Sequence, residues 1–345
     1  MVGAGVTSGC GKGGCVPGML EITRSYAASI AFACLVSMLG ANESRGSEPR
    51  TPGPQPDGSV VLPNQWSLRP VGRQVDVGDF PAAIAVHPSG SHAVVLHCGY
   101  GPHELVVLDV QSRRVVSRVA IDESFHGVAF NPAGSMVYAS GGGGETILPF
   151  RFESGVLVPL TPIRLRDEKE RGVPAGIALT SDGRTLVVAN VWGHSVTRVR
   201  LDASPPTVEH LPLTQAAVPA PAIPAATTDD PSITKRADQL LERTVADLPY
   251  PFACVVDEHR GRVYVSLWAQ AAVAVIDLAE WKVVGRFEVE EHPNEMLLAA
   301  DGSRLFVANA NINSVAVFDI SRRGGARSLG FIPCGWYPTS VRLAG

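Results

Sequence analysis

The chain has 345 residues, which at roughly 150 residues per domain allows two small domains or one large ring-like one. Hydrophobic residues make up 45% and charged residues 18%, so disorder of the whole chain is excluded. Lys and Arg number 29 against 33 Asp and Glu, a net charge of −4, and the absence of a basic run to grip phosphates argues against nucleic acid as a partner.

Residues 1–61 read as targeting and spacer material. Arg24 precedes a 13-residue apolar run, Ala27 to Leu39, followed by the small residues Gly40 and Ala41. That length suits the apolar region of a secretory signal and falls short of the roughly 20 residues that cross a bilayer as a helix. Residues 1–41 are therefore read as a signal-peptide region, with Met19 as an alternative start. The expected location is secreted or periplasmic, with no stable membrane span after cleavage. The weak processing site, Leu39 and Ala41, leaves an uncleaved anchor as the alternative. The stretch GCGKGG (9–14) is not a phosphate loop, because Val6 stands where that motif needs glycine. Residues 42–61, rich in Ser, Pro, Gly and charge, read as an extended linker. Downstream remain Cys98, Cys254 and Cys334, an odd set that indicates no disulfide framework.

From Leu62 onward one phrase recurs: an apolar strand, a turn ending in glycine, and a second apolar strand. The copies are PAAIAVHPSGSHAVVLH (81–97), GVAFNPAGSMVYAS (127–140), PAGIALTSDGRTLVVAN (174–190), PFACVVDEHRGRVYVS (251–266) and PNEMLLAADGSRLFVAN (293–309). They align on Gly90, Gly134, Gly183, Gly261 and Gly302, and only the interval from Gly183 to Gly261 is long, which predicts an insertion at about 214–248. Third strands with strict alternation follow, such as ELVVLDV (104–110) and SVAVFDI (314–320), and then fourth strands such as VVGRFEV (283–289).

Each unit is thus a four-stranded antiparallel meander with two apolar faces. Blades packed around an axis bury both faces and shelter most strand edges. The expected fold is an all-β propeller spanning 62–345, with five complete blades and parts of another, a truncated six- or seven-bladed ring. A sixth first strand begins at Pro338, and GRQVDVG (72–78) reads as a lone fourth strand.

In such a meander the second-to-third loops and the crossovers between blades emerge on one face, the upper rim. It gathers His97, Tyr100, His103, His126, Asn190, Trp192, His194, Trp268, Asn309, Asn311, Trp336 and Tyr337, whereas the glycine-turn face is merely polar. Aromatic platforms with amide donors suit a protein surface, a small polar ligand or a carbohydrate. The four imidazoles His97, His103, His126 and His194 match no metal-ligand spacing, so no metal or cofactor is implied. The acids Glu104, Asp167, Glu145 and Glu168 lie in or beside upper loops with no evident partner, so no catalytic residue is assigned.

The phrases LVVAN, LFVAN and VYVS after an (S/A)DG-type turn resemble the YVTN-repeat, YncE-type secreted propellers, although the tetrapeptide itself is intact nowhere. LPNQW (62–66), GYG (99–101), FHGVAFNPAG (125–134) and GWYP (335–338) resemble the propeller half of proteins in which this domain precedes an alkaline-phosphatase-superfamily domain. The resemblance implies a non-catalytic binding or scaffolding module, with a fused C-terminal domain as partner and phosphoesterase chemistry residing there. The alternative is a propeller hydrolase of the lactonase type acting on a small lactone or ester.

Overall fold

The structure, a computed structural model, describes residues 50–69, 75–214, 248–321 and 325–342. The expected signal region, and all but the ends of the expected insertion, lie outside these residues. The chain divides into two units, Met1–Gln74 and Val75–Gly345.

In the smaller unit, β1 (Gly53–Pro54), β2 (Val60–Val61) and β3 (Ser67–Leu68) form a three-stranded antiparallel sheet. Residues 53–61, expected as extended linker, therefore contain paired backbone. The turn between the first two strands is held by Asp57, whose carboxylate accepts the Ser59 N–H at 3.0 Å.

The larger unit contains five consecutive meanders. Blade I is β4 (Pro81–Val86), β5 (His92–His97), β6 (Glu104–Asp109) and β7 (Arg114–Ala120). Blade II is β8 (Val128–Phe130), β9 (Met136–Ser140), β10 (Thr146–Glu153) and β11 (Val156–Pro159), with the short β12 (Ile163–Arg164) continuing the outer edge beyond the interruption at Pro162. Blade III is β13 (Pro174–Leu179), β14 (Thr185–Asn190), β15 (Ser195–Arg200) and β16 (Thr207–Pro212). Blade IV is β17 (Pro251–Asp257), β18 (Arg262–Leu267), β19 (Ala272–Asp277) and β20 (Lys282–Glu288). Blade V is β21 (Pro293–Leu298), β22 (Arg304–Asn309), β23 (Ser314–Asp319) and β24 (Arg327–Pro333). The expected strands at Pro338 and at 75–78 do not form; residues 70–74 are outside the described set.

The repeat glycines explain the alignment that revealed them. Gly90, Gly134, Gly183, Gly261 and Gly302 all have φ between 61° and 73°, a left-handed turn position that costs a glycine nothing. Alternation then sends side chains to opposite faces, and the core forms as four separate clusters between neighbouring blades. Val94, Leu96 and Val107 meet Val137 and Phe150 between blades I and II. Leu186 and Val188 meet Ile147 and Leu165 between II and III. Val187 and Ala189 meet Val263 and Val265 between III and IV, and Tyr264 and Val273 meet Leu305 and Val307 between IV and V. Each fully buried Leu or Val stabilises these seams by roughly 1.5–3 kcal/mol.

Near the axis the first strands approach so closely that no Cβ fits at two glycine positions. A Cβ on Gly127 would lie 2.1 Å from the Ala175 carbonyl oxygen, and one on Gly176 would lie 2.6 Å from the Phe252 carbonyl oxygen. Blade V meets the chain's last described residues instead. Arg342 pairs with Glu295 of β21 and donates from Nη2 to the Ile84 carbonyl of β4 at 3.1 Å, tying the first strands of blades V and I together.

Cys98, Cys254 and Cys334 are free thiols. Burial pushes the Cys254 thiol up to about 12, and its Sγ donates to the Gly176 and Val187 carbonyls, so it is an inert part of the III/IV seam.

Candidate functional site

The upper rim is built by one backbone device repeated at the blade crossovers. Phe80, Val173, Tyr250, His292 and Tyr337 each precede the proline that opens, or would open, a first strand, and each is non-glycine with φ between 42° and 54°. Left-handed backbone is unusual for such residues, and a following proline restricts them further. The conformation turns their carbonyls back into the sheet: Val173, Tyr250 and His292 accept the N–H groups of Val191, Trp268 and Ala310 at 3.0–3.1 Å. The side chains are thereby lifted against the loop of the preceding blade. The Tyr250 ring meets Trp192 at 5.9 Å and His194 at 4.7 Å, both edge-on, while His292 stacks flat on Trp268 at 4.0 Å. Tyr337 donates its N–H to the Asn313 side chain at 2.9 Å.

Against this frame eleven of the twelve expected rim residues separate into three groups. Tyr100, Trp192, Asn311, Trp336 and Tyr337 are exposed, with Trp192 at 62% and Trp336 at 75%. Asn311 donates to Glu291. His103, His194 and Trp268 are half-buried. His103 Nδ1 accepts the Ser124 N–H at 2.9 Å, and burial holds the His194 imidazole below its ordinary range.

His97, Asn190 and Asn309 are buried and present nothing to solvent. They end their second strands, and pairing with Glu104, Ser195 and Ser314 extends each ladder to the last residue, turning these side chains into the sheet stack. His97 Nδ1 lies 3.2 Å from Glu104, and Asn190 donates to Thr197 Oγ1 at 2.9 Å.

The upper-loop acids also have partners. Glu104 pairs with Arg118 as well as His97, and Asp167 caps a short helical turn by accepting the Lys169 N–H at 2.9 Å. Glu168 meets Arg164 at 3.4 Å on the surface. Glu145 is fully buried, accepts the Val173 N–H at 2.7 Å and lies 3.5 Å from Arg166 Nε. Desolvation pushes the Glu145 carboxyl above its ordinary range despite Arg166. Arg166 Nη2 donates to His210 Nδ1 at 3.0 Å, while His210 Nε2 lies 3.1 Å from the Leu165 carbonyl, which can only accept; His210 is therefore neutral with its proton on Nε2. This network bolts blade II to blade III.

The remaining rim residue, His126, lies at the inner end of the rim. Its ring sits 4.7 Å from Phe252, with Phe125 6.0 Å from the same phenyl. Burial is the main cause that holds the His126 imidazole below its ordinary range; Glu295 opposes this and Arg342 adds to it. His126 thus lies against the Phe252 ring, and the Glu295–Arg342 ion pair is near enough for both charges to act on its imidazole, the groups coming from blades II, IV and V and the segment after them. Sequence reasoning missed Phe252, Glu295 and Arg342. The signal available was an acid inside the apolar strand PNEMLL, at the position where the other first strands place Ala83, Gly176 and Ala253.

No family model matches the chain, and no curated protein does. Solved structures do. A proposed 6-phosphogluconolactonase from Bacteroides uniformis is 14% identical with a TM-score of 0.57, covering 81% of this chain and 78% of its own. A periplasmic gluconolactonase from Pseudomonas aeruginosa is 16% identical with a TM-score of 0.52, covering 76% and 72%. A protein of unknown function from Desulfotomaculum acetoxidans is 19% identical with a TM-score of 0.51, covering 73% and 71%. The five meanders form a β-propeller. At these identities the likeness establishes the fold. Among the described residues of this propeller, no helix is long and apolar enough to cross a membrane.

Proposed function

We propose that the propeller hydrolyses a small lactone or ester at the inner end of its upper rim. The observation that carries this reading is the His126 imidazole set against Phe252 within electrostatic reach of the Glu295–Arg342 ion pair. An imidazole kept neutral by burial takes a proton from water, and the water oxygen bonds to the lactone carbonyl carbon. Arg342 offers N–H donors to the oxyanion, and Glu295 orients the guanidinium. Collapse of the tetrahedral species breaks the ring C–O bond; the departing oxygen recovers the proton from His126, giving a hydroxy acid. The phenyl rings supply a dry wall against which a sugar-sized ring rests. The gluconolactonase among the structural neighbours supports the substrate class, and its periplasmic location accords with a secreted or periplasmic chain whose residues 1–41 are a signal-peptide region.

The test is turnover of a panel of aldonolactones and aryl esters by the purified chain, with His126→Ala and Glu295→Gln as variants. Loss of roughly 100-fold or more in kcat/KM for His126→Ala is expected, within the range for removal of a general base. No turnover of any panel member by the unaltered chain refutes the reading.

A second reading rests on the exposed aromatics Tyr100, Trp192 and Trp336, which suit a docking surface. The partner it assigns is a protein, in particular the fused alkaline-phosphatase-superfamily domain implied by the YVTN-type resemblance. Unchanged partner retention by a Trp192→Ala, Trp336→Ala double variant refutes it.

A further inference from the structure

The His126 ring makes no hydrogen bond among the described residues, so its place beside Phe252 is set by the backbone that carries it. That backbone is the crossover between β7 and β8, residues 121–127, and it is pinned at both ends. Before Phe125, the buried Ser124 donates twice to blade I, its N–H to His103 Nδ1 and its Oγ to the His97 carbonyl, both at 2.9 Å. Earlier still, the Ile121 N–H reaches the His103 carbonyl at 3.0 Å. After His126, Gly127 donates its N–H to Ser140 Oγ and accepts the Ser140 N–H, both at 2.8 Å. A Cβ on Gly142 would lie 3.1 Å from the Ser124 carbonyl carbon and oxygen, so the loop between β9 and β10 closes the other side of the crossover. Only Phe125 and His126 stand between the two anchors, and both rings meet Phe252, at 6.0 and 4.7 Å.

The two anchors differ in kind. At Gly127 the partner is a serine at the end of a strand ladder. At Ser124 the backbone N–H is satisfied by an imidazole nitrogen, which accepts only when it carries no proton, so His103 Nδ1 is unprotonated and its proton sits on Nε2. A buried N–H without an acceptor is costly. Loss of the His103 ring therefore frees the crossover to seek another partner. A displacement of the base by about 1 Å is enough to cost roughly 100-fold in rate.

We propose that His103 is a positioning residue for hydrolysis at the inner end of the rim: through the Ser124 N–H it sets the segment that carries Phe125 and His126. This rests on the reading of His126 as the general base, so the test includes measurements that need no turnover. In the unaltered chain, nitrogen NMR of the imidazoles should show His103 as the Nε2–H tautomer, a result that needs no variant to fold; the Nδ1–H tautomer overturns the proposal. His103→Leu removes the acceptor, whereas His103→Asn keeps an acceptor oxygen near the place of Nδ1. The Leu variant should lower kcat for lactones roughly 10- to 100-fold with KM little changed, and the Asn variant should retain most of the native rate. In the Leu variant the His126 midpoint, read by imidazole proton NMR, should rise toward the ordinary value of about 6.5 as the ring leaves Phe252, with Glu295 and Arg342 the charges that act on it; in the Asn variant it should stay native. A Leu variant that melts at a lower temperature yet keeps the native kcat and His126 midpoint overturns the proposal, and so does an equal loss in the Leu and Asn variants. If the unaltered chain hydrolyses no lactone, the hydrolase reading fails, and the tautomer and midpoint measurements still decide whether His103 places His126.

Discussion

Replacing Arg166 with Met isolates the cost of a buried, uncompensated carboxylate. Glu145 has no accessible surface and Arg166 almost none, and the guanidinium lies in a slot where a Cβ on Gly172 or Gly193 would come within 2.4–2.5 Å of it. Met preserves much of the stem volume but removes the cation beside Glu145, so the variant should lose roughly 3–5 kcal/mol, a large share of a typical domain's stability. Glu145→Gln added to Arg166→Met should restore most of that, because Gln keeps an acceptor for the Val173 N–H and buries no charge. The sign of the pH dependence follows from the upward shift of the Glu145 carboxyl. The native state holds that proton more tightly than the unfolded chain, so the group's contribution falls as pH rises from the ordinary carboxylate range through the raised native value. Without Arg166 the upward push grows, and the deficit should widen from about pH 5 to about pH 8. Urea denaturation of the four combinations at both pH values measures this. A loss below about 1 kcal/mol, or one that does not change with pH, would refute the assignment of Glu145 as a buried charge held by Arg166.

Gly127→Ala should lower the thermal midpoint by several degrees, since its Cβ would lie 2.1 Å from the Ala175 carbonyl oxygen and overpacking of this kind costs roughly 1–3 kcal/mol; an unchanged midpoint would show that the first strands can move apart. Trp281→Ala should cost about 3–5 kcal/mol in urea denaturation, because the ring is buried in the III/IV seam beneath the Arg198 guanidinium, whereas a loss under about 1 kcal/mol would mean the ring is dispensable there. For lactone hydrolysis, kcat/KM should rise with pH along a limb centred below the ordinary imidazole value of about 6.5, because burial lowers His126 and the neutral form is the base. A limb centred above pH 7 would assign the base to another group.

The blades were legible because the constraint that makes them is local. Five turns need glycine at a left-handed position, and alternation fixes which side chains enter each seam. The rim was legible only in part, since sequence places a residue at the end of a strand without saying whether the ladder includes it. One further backbone pair buries His97, Asn190 and Asn309, whereas Trp192, two residues beyond Asn190, stays in solvent. The axial cluster was hidden because its members come from distant repeats, and Arg342 lies 47 residues after Glu295 in sequence.

The left-handed residues before each proline have a consequence for engineering. One torsional setting is kept by side chains as different as Phe80, Val173, Tyr250, His292 and Tyr337, so the scaffold dictates the mount and leaves the tool free. Whole crossover segments, cut just before the setting and just after the proline, should be exchangeable from one sector of the wheel to another, making the rim a modular array for building new recognition surfaces.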